Sequence, residues 1–219
     1  MAGAIKLRGA WVRLAARSPG MAAILGASAF GAVCWIVLAL IGSPADAALS
    51  PWRAGALVAA VHLLYRDAEA AAELDWHRRG GPGGAVRFAT VRVLTTGLLL
   101  TVLLLAGPSS GEGLPAWALP AGLGLVAAWF LLAGRRPDPD RAASLTLRFA
   151  PDTGGGVRRA LALALPVLGL AILAVAPLTP WAGVALLVVP GLVPAIEPRT
   201  GWLLPRLVGA GLALLAVPF

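Results

Sequence analysis

Five residues recur at helical spacing along one stretch of the chain: His62, Arg66, Glu69, Glu73 and His77. At about 100° per residue they share one stripe of an α-helix, with Leu63, Leu64 and Leu74 lying off it. Such a row of imidazoles, carboxylates and a guanidinium admits three chemistries. Glu69, Glu73 and His77, at i, i+4 and i+8, offer oxygen and nitrogen donors for a divalent metal. The run DAEAAAELD at 67–75 holds four acids in nine residues, a density suited to a metal-dependent transferase acting on a lipid diphosphate. Alternatively the stripe is a polar helix face held by i, i+4 pairs such as Asp75 with Arg79, and touched by solvent or a partner protein.

The element that must position these residues is a helix over 54–79. It opens as AGALVAAVHLLY and continues without a break as RDAEAAAELDWHRR, interrupted by no proline and only by Gly55. Ala, Leu, Glu and Arg are strong helix formers. At about 1.5 Å per residue the helix spans roughly 39 Å, against about 30 Å for the hydrocarbon core of a bilayer. Its charged C-terminal end should protrude. The purely apolar part, 54–65, covers only about 18 Å, too little to cross alone. Either the bilayer thins there, or Arg66, Asp67 and Glu69 sit at membrane depth facing protein or water. The glycines and proline of 80–84 should then break the helix sharply.

Composition places the whole chain in a membrane. Of its 219 residues 59% are hydrophobic and 13% charged, too little polar surface for a soluble domain of this length. The formal charge of +8 could point to nucleic acid, but its placement points elsewhere. Fifteen of the 18 basic residues fall before the first apolar run, between the second and third, or between the fourth and fifth. That is the positive-inside pattern, with a cytoplasmic N-terminus. Nucleic acid is therefore not an expected partner.

In chain order, residues 4–18 read as an amphipathic helix on the inner leaflet, with Lys6, Arg13 and Arg17 on one stripe and Leu7, Trp11 and Leu14 beside it. The first span is 21–41, too long for the apolar part of a signal peptide, so Ala45-Asp46-Ala47 is not expected to be a cleavage site. Within it Ala23, Ala27 and Gly31 repeat at i, i+4, i+8, a small-residue row that lets helices approach closely. With His62 these residues are the candidates for helix packing or for lining a pathway. Spans at 54–79, 88–106, 114–132 and 160–176 follow, with 66–92 and 135–159 as cytoplasmic segments. The apolar runs 181–196 and 201–219 carry Pro190, Pro194 and Pro205. They are two further spans, or one broken re-entrant helix and one span. The expected fold is an all-α, polytopic membrane helix bundle of six or seven spans, forming a single transmembrane domain over 1–219.

Other chemistries find less support. The chain contains no GxxxxGK[ST], hence no P-loop of its own. Gly154 to Gly156 near Arg158 could cradle a phosphate, or simply link two helices. Cys34 stands alone, excluding a disulfide framework and a cysteine metal site. His62 and His77 lie about 22 Å apart along one helix, too far to ligate one haem. The flanking Gly, Asn or Arg of the acid motifs of prenyltransferases and CDP-alcohol phosphotransferases are missing. No cofactor and no resident metal is expected, and catalytic activity of the chain's own is not.

The layout resembles the permease subunit of ABC-2-type exporters. Those permeases have an N-terminal interfacial helix, here Lys6 to Arg17, and a second span that continues into the cytoplasm before a short coupling segment, here Arg66 to Arg92. Broken outer helices precede their last span, as Pro177 to Pro194 would. The inner loop at 135–159 and a seventh span depart from that pattern. The resemblance implies a multi-pass protein of a bacterial-type cytoplasmic (inner) membrane, driven by a separate ATPase chain and paired with a second permease copy or paralogue. Arg66, Glu69, Glu73, Asp75, His77, Arg78 and Arg79 would be the partner-coupling residues. The alternative is an integral-membrane anchor or substrate-binding subunit of another complex.

Overall fold

The computed structural model of the chain describes residues 2–42, 47, 49–106, 124, 139–148, 156–175, 180–192 and 203–216. Among them are eight helices and no strand. They are α1 (Ala2–Arg17), α2 (Pro19–Ile41), α3 (Pro51–Arg79), α4 (Gly81–Ala106), α5 (Pro139–Arg148), α6 (Gly156–Val175), α7 (Pro180–Leu192) and α8 (Leu203–Ala216). The all-α class is as expected from sequence.

The hub is α3, which packs against α2, α4, α5, α6 and α8. Its start is set locally. Pro51 has no N–H to lose at the first helical position, and Ser50 precedes it in extended backbone. Ala54 N–H closes the first turn on the Ser50 carbonyl at 3.0 Å. The apolar half of α3 is then buried on several sides. Ala54 and Val58 join Leu38, Val102 and Ala106 of α2 and α4. Ala60, Val61, Leu64 and Tyr65 join Leu173, Leu187, Ala210 and Ala213 of α6, α7 and α8.

Two helix crossings are made by glycine. A Cβ on Gly31 would lie 2.5 Å from the Gly55 carbonyl oxygen, and one on Gly55 would lie 2.6 Å from that of Gly31. Thus α2 and α3 touch backbone to backbone, with Ala23 and Ala27 buried on the same side of α2. Gly169 and Gly183 play the same part between α6 and α7.

Two stretches, Pro19–Ile41 and Gly81–Leu103, are long and apolar enough to cross a membrane, with mean hydropathies of 2.4 and 1.6. Only 17% of the first is buried, and Leu25, Phe30, Val33, Ile36, Leu40 and Ile41 face outward along it. A core helix of a soluble protein would hide such a surface.

Several expected boundaries differ. The third span was expected from residue 88, yet α4 begins at Gly81, because the turn is confined to two successive glycines of positive φ, Gly80 and Gly81. The expected inner loop at 135–159 contains α5. Its start carries Pro139 and then Asp140 in the first turn, both favourable at a helix N-terminus, and Ala142 and Leu145 pack on Ala70 and Leu74 of α3. The last helices, α7 and α8, have 13 and 14 residues, about 20 Å each, less than a bilayer core. The expected span at 114–132 lies outside the described residues.

Candidate functional site

The charged half of α3 meets α4 across a tight antiparallel hairpin. Gly80 turns the chain with φ 64°, a left-handed conformation that favours glycine. Its N–H donates to the Trp76 carbonyl at 2.8 Å, closing the C-terminus of α3. Immediately beyond, Gly84 lies so close to Trp76 that a Cβ there would be 3.2 Å from the Trp76 Cα. The Trp76 and Phe88 rings stack with centroids 5.5 Å apart and planes inclined by 15°.

Two ion pairs then bridge the helices. Arg87 Nη1 lies 3.3 Å from Asp75 Oδ2, and Arg92 Nη1 lies 2.8 Å from Glu69 Oε2. The carboxylates are the hidden partners: the side chains of Asp75 and Glu69 are 9% and 13% exposed, those of Arg87 and Arg92 62% and 39%. Arg92 also sits 5.9 Å from the centre of the Phe88 ring, in cation–π range. Attraction is stronger where water is partly excluded, so these contacts act as clamps along the hairpin.

Within α3 itself, Arg66 Nη1 lies 2.9 Å from His62 Nε2. A guanidinium only donates, so this imidazole nitrogen accepts and carries no proton. The other face of His62 meets Phe30 of α2 at 5.5 Å. His77 Nε2 lies 3.6 Å from Glu73 Oε1, both side chains being largely covered. On α8, Arg206 is 3% exposed, one turn before Gly209, which packs on Leu63 and Leu64.

The sequence stripe is therefore real as a row, but it is not an open helix face. Glu69, Glu73, Asp75 and His77 are turned into the fold, Arg66 is half-buried, and Arg78 is exposed. The side chains of Asp67 and Arg79 lie outside the described residues. Glu69 is committed to Arg92, and among the described residues no three His, Cys, Asp or Glu side chains converge as metal ligands. Sequence reasoning missed the partners on α4, although a signal existed. Asp75 and Arg87 stand five and seven residues from Gly80, Glu69 and Arg92 eleven and twelve, so a turn at Gly80 brings opposite charges level twice.

The chain matches no protein-family model, no curated protein and no solved structure. The hairpin is a stiff rod, apolar at one end, internally clamped at the other, and tipped by exposed Arg78, Gly81, Pro82, Gly83, Val86 and Arg87.

Proposed function

We propose that the chain is the membrane-spanning permease subunit of a multi-subunit transporter, driven by a separate ATPase in the manner of an ABC exporter. The observation that supports this is the α3–α4 hairpin. One 29-residue helix runs without interruption from apolar to charged sequence and turns back into α4 at Gly80 and Gly81. The Asp75–Arg87 and Glu69–Arg92 pairs make its charged end one body. A push at the tip then reaches the buried middle of α3, where α2, α6 and α8 meet it. In this reading α1 lies on the inner leaflet and the Gly80 turn is cytoplasmic. The chain crosses the bacterial-type inner membrane six or seven times, and two permeases enclose the path.

The test is purification of the tagged chain from its native membranes in mild detergent. A permease brings with it, in fixed ratio, a chain carrying a P-loop and hydrolysing ATP. Recovery instead with a redox or biosynthetic enzyme, and no ATPase, would make it an anchor subunit.

A further inference from the structure

Where α2 crosses α3 at Gly31 and Gly55, a groove of about 190 Å³ opens on the outside of the bundle. Ala32 and Ala59 form part of its lining, and Trp35 and Trp52 stand beside them. Trp52 to Ala59 spans seven residues of α3, so the groove runs about 10 Å along the helix. Next to Trp52, at the same end of α3, sits Arg53, its guanidinium carbon 5.4 Å from the centre of the Trp52 ring. The Arg53 Nε is buried and donates no hydrogen bond among the described residues, and the buried Ser50 Oγ one turn earlier has no partner either. No described carboxylate pairs with Arg53.

The two halves of this feature have complementary demands. The groove is lined mainly by apolar atoms, with Ser28 among its residues, and faces outward from a helix crossing of the kind that lies within a bilayer. The cation stands at the helix end beside an indole, the arrangement side chains adopt at the membrane surface. A guanidinium that pairs with no carboxylate binds phosphate oxygens through its terminal nitrogens. A narrow apolar groove that ends beside a cation matches a hydrocarbon chain joined to an anionic headgroup.

We infer that the groove binds one anionic phospholipid of the surrounding membrane. One acyl chain lies against Ala32 and Ala59 between the two tryptophans, and the phosphate accepts hydrogen bonds from Arg53. This rests on the membrane reading above, and the experiment separates the two.

The full chain, purified in mild detergent, is titrated with phosphatidylglycerol or with phosphatidylcholine of the same acyl chains, and bound lipid is counted by native mass measurement. The unmodified chain should retain phosphatidylglycerol about tenfold better, the scale of one charge-assisted phosphate contact. Arg53→Gln should lose that preference, while Arg13→Gln, at an exposed cation on α1, should keep it. Ala32→Phe, at an exposed position that tolerates bulk, should lower retention of both lipids. An Arg53→Gln chain with undiminished preference overturns the site, as does an Ala32→Phe chain that holds lipid normally. Release of the chain from membranes by an alkaline carbonate wash would instead overturn the membrane reading itself.

Discussion

Glu69 on α3 and Arg92 on α4 stand 2.8 Å apart, with the carboxylate side chain 13% exposed and the guanidinium 39%. They lie further from the Gly80 turn than the Asp75–Arg87 pair does, so they close the hairpin nearest its buried middle. Removing Glu69 leaves a partly covered cation facing α3, and removing Arg92 leaves a nearly covered anion. Arg92→Gln should therefore be the costlier of the two single changes. Either should lower stability by about 1–3 kcal/mol, and the exchange of Glu69→Arg with Arg92→Glu should recover part of the loss. Thermal unfolding in detergent, run as a double-mutant cycle, gives the coupling. Additive single losses would mean that the pair does not clamp the hairpin.

The glycine crossing makes a sharper structural prediction. Gly31→Leu forces α2 away from the Gly55 carbonyl and should destabilise the bundle by about 1–3 kcal/mol or prevent folding. Gly83→Ala, near the start of α4 with no atom within 4 Å of the added Cβ, should be neutral or stabilise by up to about 1 kcal/mol. Equal effects of the two changes in the same unfolding assay would contradict the close approach.

Topology follows from the basic residues. With Cys34 replaced, a cysteine at Ser109 should react with an impermeant reagent added outside, and one at Ser144 only after the inner face is exposed. Outside labelling of position 144 would invert the proposed orientation.

The course of α3 was legible because composition decides it: its observed span begins three residues before the expected start at 54 and ends at the same Arg79. The charged row was legible for the same reason, since helical spacing alone sets which residues align. What faces the row was not. Glu73 and His77 look solvated in sequence, yet neighbouring elements cover both, and α5 packs beside them on Ala70 and Leu74. That cover comes from a stretch whose flanking prolines and glycines read as a loop. The turn was hidden in a run of four glycines and one proline, of which Gly80 and Gly81 make it with positive φ. Tertiary packing, rather than local preference, decides the cover over the charged row. Glu73→Lys is consequently a poor probe of partner binding, because it places a cation inside the fold; the exposed tip is the better place to intervene.

The most direct test of the transporter account uses that tip. Gly83 and Val86 are exposed, and a Cβ added at Gly83 meets no atom within 4 Å. Gly83→Glu combined with Val86→Asp is introduced into the tagged chain, and the amount of co-purifying P-loop ATPase is compared with that of the unmodified chain. Folding of each is checked by thermal unfolding. The account predicts unchanged unfolding with at least a tenfold loss of the ATPase, the scale of a misplaced charge at a protein interface. An unchanged yield of ATPase from the doubly altered chain, or no ATPase with either chain, would contradict it.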